Sequence, residues 1–478
     1  VRVLRGWGRT PASAATVVAP RDTAEVASLV CGPSRGEPGR GPARGLIARG
    51  LGRSYGDAAQ CAGGVVVTTA ALGGIGWSSG GQGLVEVGAG VSLHELMTWS
   101  LPRGWFLPVT PGTRSVSVGG AVAADVHGKN HHRDGSFCRH VAALELVAPS
   151  GVYEVGPDRD PELFWATAGG MGLTGVVTRV TLQLTPVETD QMVVDTHRLE
   201  DLEAVMSAME AADATHRYSV AWVDCGARGR RLGRGVLTAG EHATSAQLPP
   251  GRRSGAPSPP PPPRLRVPAA TPVDLLRPST VRAFNELWYR RAPRRRLGAL
   301  EPLPSFFHPL DSLADWNLLY GRRGLVQYQF VVPLAEGEVV QRAVKAIAAS
   351  RLPSVLAVLK RFGPADPGPL SFPREGWTLA LDFPVGPPGL PALLDRLDDL
   401  VAGAGGRVYL AKDARLDPAH VEAMYPRLGE LAAVRHRVDP DGRLQSDLSR
   451  RLGLDRVAGL RAPAGRGIRA AAPGQSHG

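Results

Sequence analysis

Between Gly45 and about Pro186 the chain sets short β-branched runs between glycines. Gly64-Val-Val-Val-Thr-Thr69, Gly83-Leu-Val-Glu-Val-Gly88, Ala143-Leu-Glu-Leu-Val147 and Gly175-Val-Val-Thr-Arg-Val-Thr-Leu-Gln-Leu184 each predict a strand. Two short helices accompany them, one ahead of them near Thr23–Leu29 and one over Ser92–Ser100, where Ser92 and Glu95 have capping-box spacing. The mixture predicts an α+β fold with a glycine-heavy core. Beyond residue 190 the pattern changes. Leu199–Ala212 reads as an amphipathic helix and Tyr218–Asp224 as a strand. Strands recur near Leu325–Val332 and Thr378–Phe383, with helices at Glu336–Ser350 and Leu390–Ala404. Pro249 to Pro278, rich in Pro and Arg, carries neither period and is expected to be a mobile loop or polyproline stretch. The tail 457–478 is low in complexity and is expected to be disordered.

Composition narrows the class. With 478 residues, 43% apolar and 21% charged, the chain can bury a large core over two or three domains. Cys31, Cys61, Cys138 and Cys225 lie far apart without a C-x-x-C pair, which argues against a disulfide scaffold or a zinc ribbon. The net charge of +11 rests on arginine: only Lys129, Lys345, Lys360 and Lys412 are lysines. Such a bias resembles GC-rich coding preference, so the charge is poor evidence for a nucleic-acid partner, and none is expected. Attraction to anionic lipid or to a phosphate-bearing substrate stays open. A lysine kept in so arginine-heavy a chain points to a need for a compact ammonium. No secretory h-region and no membrane-spanning run is visible.

Three segments carry chemistry. Ala48-Arg-Gly-Leu-Gly-Arg-Ser-Tyr-Gly-Asp57 places three glycines in seven residues, with Arg53 and Ser54 as added donors. Backbone N–H groups can converge there on an anion such as a pyrophosphate. It is neither a Walker loop nor a Rossmann turn. Pro111-Gly-Thr-Arg-Ser-Val-Ser-Val-Gly-Gly-Ala-Val-Ala-Ala-Asp-Val-His-Gly128 follows, and Asp125-Val-His-Gly-Lys-Asn-His-His132 packs titratable groups into eight residues. His131 and His132 are adjacent rather than four apart, so no metal site is expected. Glu162-Leu-Phe-Trp-Ala-Thr-Ala-Gly-Gly-Met-Gly-Leu-Thr-Gly175 places further glycines after an apolar helix.

In this order the segments resemble the flavin oxidoreductases of the vanillyl-alcohol-oxidase class and, within it, the decaprenylphosphoryl-β-D-ribose 2′-oxidase family. The resemblance continues in Glu286-Leu-Trp-Tyr-Arg290, Phe307-His-Pro-Leu-Asp311, Gln327-Tyr-Gln-Phe330, Leu370-Ser-Phe-Pro373 and Tyr409-Leu-Ala-Lys-Asp413. It implies a two-domain fold: a PCMH-type FAD-binding domain over 1–188 and a substrate (cap) domain on an antiparallel sheet over 189–406. Residues 407–456 would return to the FAD domain. It also implies FAD held by Ala48, Arg49, Gly50, Leu51, Gly52, Arg53, Ser54, Tyr55, Gly56, Asp57 and Ala58. Gly112, Ser117, Val118, Gly119, Gly120, Ala124, Asp125, Val126, His127, Val177 and Tyr409 would complete the cofactor site. Arg53 stands where relatives of the class often carry a flavin-tethering histidine, so the FAD should be non-covalent.

The implied reaction is oxidation of the ribose 2′-hydroxyl of a polyprenylphosphoryl ribose, the first half of an epimerisation. A separate NAD(P)H-dependent short-chain reductase would finish it. The protein would be peripheral to the inner membrane, on its cytoplasmic or periplasmic side. Hydride leaves carbon as the hydroxyl loses its proton, so a nearby cation helps, and Lys412 and Lys129 are the candidates. His127 would act as base or position the flavin, and Gln329 would bond the sugar or the ring edge. Phe307, Gln327, Thr378 and Ala380 would line the substrate pocket. Three of these depart from the family pattern: Phe307 for a tyrosine, Thr378 for an amide, and Ala380 for the cysteine of mycobacterial members. The alternative is therefore a sugar or aldonolactone oxidase acting on a soluble substrate.

Overall fold

The computed structural model describes residues 1–32, 44–252, 256–263, 265–268 and 276–455. Three main sheets organise them. The first has the order Arg2–Arg5, Ala12–Val18, Val65–Thr68, Leu46–Arg49, its last three strands parallel. The second is antiparallel, in the order Ile75–Trp77, Leu84–Gly88, Val176–Gln183, Val141–Ala148, Gly151–Val155. The helix Leu93–Ser100 follows the strand Leu84–Gly88 and contacts Trp105–Phe106, started by the Ser92–Glu95 capping box read from the sequence. The chain thus has mixed helix and strand content with extensive antiparallel sheet.

The third sheet has eight antiparallel strands: Arg295–Pro302, Gln191–Leu199, Gly235–His242, Tyr218–Val223, Ala357–Phe362, Gly376–Pro384, Leu325–Val332 and Arg407–Val408. The helices Gly337–Ser350 and Leu390–Gly403 cover one face of its centre. Period-two alternation decides what the other face shows. Tyr328 and Phe330 turn into the core, and Leu379 and Leu381 do the same, so Gln327, Gln329, Thr378, Ala380 and Asp382 share the opposite face. Lys360 sits opposite Thr378 in the ladder and joins that face.

The chain then returns to the first sheet. Tyr55 N–H donates to the Ala411 carbonyl at 2.9 Å, and Leu46 bridges to Leu444. The Arg451 guanidinium joins both Asp57 and Asp413 at 2.8 Å, and Asp57 and Asp413 are buried. A Cβ on Gly56 would lie 2.0 Å from the Asp413 carbonyl oxygen, so only glycine permits this approach.

The described residues of the Pro/Arg-rich stretch lie against the fold. Pro257 and Pro260 are buried, Arg114 donates to the Pro261 carbonyl, and Leu265–Arg266 pairs in parallel with Leu313–Ala314. The tail 457–478 lies outside the described residues. No described helix is long and apolar enough to cross a membrane.

Candidate active site

The first glycine loop follows directly from the strand Leu46–Arg49. The N–H groups of Gly50, Leu51, Gly52, Arg53 and Ser54 donate to no protein acceptor among the described residues. Gly52 has φ +67°, which glycine takes without strain. A Cβ on Gly50 would meet Ser117 Oγ at 2.0 Å, so the second motif lies flush against the first. Five free donors in a glycine-lined groove fit the pyrophosphate of a dinucleotide. Arg53 closes one side, its Nε donating to the Ser115 carbonyl at 3.0 Å and its guanidinium lying 4.0 Å above the Trp7 ring.

Other predicted cofactor residues have structural duties. Arg49 donates to the carbonyls of Arg5 and Ala59, and Asp57 is held by Arg451. Gly119 packs on Ala89, and Ala58, Val118, Val126 and Val177 belong to the core. Asp125 is fully buried, at φ +39°, and accepts from the hydroxyls of Ser136 and Ser371. Burial and the nearby Asp366 carboxyl push its own carboxyl up to about 6. Gly112 is exposed, and Leu51 is 38% exposed.

His127, Gln329, Tyr409 and Thr378 meet. Gln329 Nε2 donates to His127 Nε2 at 2.9 Å and to Thr378 Oγ1 at 3.1 Å. That bond puts the proton of a neutral His127 on Nδ1, which is buried and has no protein partner. Burial, with Lys360, His131 and Lys412 nearby, holds the ring well below the ordinary histidine pKa. His127 is therefore a weak base with a free N–H to offer. Tyr409 donates to the Ala124 carbonyl at 2.6 Å, stacks on Phe372, and lies 5.2 Å from the His127 ring.

Three of the four lysines converge on this face. Lys412 Nζ donates to Gln327 Oε1 and lies 4.5 Å above the Tyr55 ring. Gln327 Nε2 donates on to Asp382, whose other oxygen is 3.5 Å from the Tyr320 hydroxyl. Burial lowers Lys412 to about 8, with Asp382 opposing, and raises Asp382 to about 6. Lys129 donates to the Phe306 carbonyl, 4.2 Å above the Phe306 ring. Burial, and the charge of Lys360, lower it to about 7. Burial, and the charge of Lys412, lower Lys360 to about 7 as well. All three lysines are half-buried, and none makes an ion pair among the described residues.

Sequence reasoning missed Lys360, Asp382 and Tyr320, which only strand pairing and packing bring here. Ala380 is half-buried opposite Gln329. Phe307 is 2% exposed, packed with Phe106, Tyr218 and Phe306 rather than presented to the cleft.

Residues 14–156 match the family model described as an FAD binding domain. The decaprenylphosphoryl-beta-D-ribose oxidase of Mycolicibacterium smegmatis is 42% identical over 456 residues, 94% of this chain and 97% of the relative. An uncharacterized protein of Streptomyces coelicolor is 43% identical over 371 residues, 76% of this chain and all of the relative. Cytokinin dehydrogenase 5 of rice is 30% identical over 200 residues, 38% of this chain and 35% of its own. The cofactor is FAD, as the glycine-lined groove and the matching model agree. On that full-length identity, the chain belongs to the decaprenylphosphoryl-beta-D-ribose oxidase family of FAD-binding oxidoreductases.

Proposed function

We propose that the protein oxidises the 2′-hydroxyl of a polyprenylphosphoryl-β-D-ribose to the 2-keto sugar, a reductase then completing the conversion to the arabinose epimer. The observation that carries this reading is the unpaired lysine trio beside the flavin-binding motifs. The described residues of 1–188, with those that follow Val408, form the FAD-binding part, and the eight-stranded sheet forms the cap, its last strand Arg407–Val408 lying just past the expected boundary at 406. The first loop, Ser117 and Tyr409 hold the cofactor without a covalent tether, so acid precipitation leaves the flavin in solution. Bound FAD supplies the two-electron acceptor for hydride.

The chain's own groups bind, orient and stabilise. Lys129 and Lys360, whose pKa values burial lowers, gain charge against the substrate phosphodiester. Lys412, held by Gln327, faces the reacting hydroxyl and stabilises negative charge on oxygen as hydride leaves. His127 Nδ1–H offers one hydrogen bond in the same cleft, and Gln329 fixes the ring that offers it.

Product labelling tests the reading. After turnover, borodeuteride reduction places deuterium at C2 of both the ribo and arabino prenylphosphoryl sugars. Deuterium elsewhere, or none, rejects it. The soluble-sugar alternative draws on Ala380 and Thr378, and predicts label in free sugar or lactone instead.

A further inference from the structure

The helix Pro278–Arg291 wears its aromatic face outward. Val281 and Asn285 point in; Asn285 Nδ2 donates to Asp224 Oδ1 at 2.9 Å. Arg234 lies 2.6 Å from Glu286 and 4.4 Å from the Tyr289 ring. These contacts fix the helix and therefore fix what it exposes. Phe284 is 46% exposed, Leu287 66% and Trp288 49%, with the Phe284 and Trp288 rings stacked at 6.1 Å. Leu297, on the following edge strand Arg295–Pro302, is 51% exposed.

Charge says what covers this patch. Residues 276–302 hold seven arginines against two glutamates. Both glutamates are engaged, Glu286 by Arg234 and Arg290, and Glu301 by Arg296. Arg282, Arg291, Arg294 and Arg295 have no carboxylate partner among the described residues. An aromatic and leucine face rimmed by guanidinium groups without carboxylate partners matches the interface of a bilayer with anionic headgroups.

We propose that the helix Pro278–Arg291 and the start of the edge strand Arg295–Pro302 form a docking surface for an anionic lipid bilayer. The inference rests on the lipid-linked substrate proposed above and adds how that substrate reaches the site. The edge strand covers about 25 Å. Just beyond its far end, the Phe306 carbonyl accepts from Lys129. A prenylphosphoryl sugar can present its phosphate to the lysines while its tail stays in the membrane.

The test is flotation of the FAD-loaded full chain with phosphatidylglycerol–phosphatidylcholine vesicles, without any sugar substrate. The parent should float with them, more weakly at high salt, and bind pure phosphatidylcholine poorly. Phe284→Ser with Leu287→Ser and Trp288→Ser should lower partition about tenfold or more. Arg291→Glu with Arg294→Glu and Arg295→Glu should remove the preference for the anionic lipid. Both variants should turn over a short-prenyl, water-soluble phosphoryl ribose, without vesicles, within about twofold of the parent.

A parent that does not float, or variants that float as it does, overturns the proposal. So does a parent oligomer that the serine variant converts to monomer, since the patch is then a protein interface. Flotation with no turnover of any prenylphosphoryl ribose rejects the substrate reading and leaves the surface standing.

Discussion

Lys412 and Lys360 show how much one ammonium does here. Lys412 leans on Gln327 beside the Tyr55 ring, and on the proposed mechanism charge develops near it only as hydride leaves. Lys412→Met should therefore keep FAD and lose about 10²–10³ in single-turnover flavin reduction. A variant within about threefold of the parent would make Lys412 structural. Lys360 has a different duty. Its pKa falls to about 7 by burial, so the folded chain binds fewer protons than the unfolded one between that pH and the ordinary lysine range. The substrate-free protein is thus destabilised below about pH 7 and relieved as pH rises. Lys360→Met should raise Tm, more at pH 6 than at pH 9, while raising KM for the phosphorylated substrate about tenfold or more. An unchanged KM would remove Lys360 from the phosphate site. Ala380, opposite Gln329, offers no thiolate. Mass spectrometry should find no covalent adduct of a pocket-directed electrophile on the parent and one on Ala380→Cys. Lys129 and Lys412 were legible in the sequence because each sits in a local motif. Lys360 was not: Ala357-Val-Leu-Lys-Arg-Phe362 is an ordinary strand until pairing sets Lys360 opposite Thr378.

At the scale of elements, those with a local signal of their own are the ones the sequence shows, while the strands Ala12–Val18, Gln191–Leu199 and Gly235–His242 and the helices Pro278–Arg291 and Leu428–Val438 are not among its expectations. The Ser92–Glu95 capping box starts its helix as expected, and the strand Leu325–Val332 has the predicted bounds because it is a run of β-branched, aromatic and leucine residues around an alternating Gln327-Tyr-Gln-Phe330 centre. The strand Arg295–Pro302 is not legible in the sequence: two arginines and a glycine at a sheet edge carry no inward period. The return of the C-terminal segment is implied by the resemblance alone, since residues as far apart in sequence as Tyr55 and Ala411 share no local signal. Its contact with the first loop turns on Gly56, where an added Cβ would press on the Asp413 carbonyl and on Ala414 Cα. Backbone cannot give way as a side chain can. Gly56→Ala should separate the two segments and sharply lower FAD occupancy, read as the ratio of flavin to protein absorbance. Full occupancy would mean the contact is dispensable.

For the whole molecule, the sheets form a dinucleotide groove on one side and a lysine-rich sheet face on the other. The asymmetry of charge matters more than its total. Most arginines are spread over the surface, whereas three of four lysines meet in one cleft with no carboxylate ion pair among the described residues. On the proposed reading, that arrangement selects a substrate that is both a hydride donor to the flavin and an anion. The central measurement is anaerobic single-turnover bleaching of the bound flavin near 450 nm, with synthetic prenylphosphoryl ribose set against free ribose and aldonolactones. The account predicts rapid bleaching with the prenylphosphoryl sugar and little or none with the uncharged ones; equal or faster bleaching by a free sugar or lactone would contradict it.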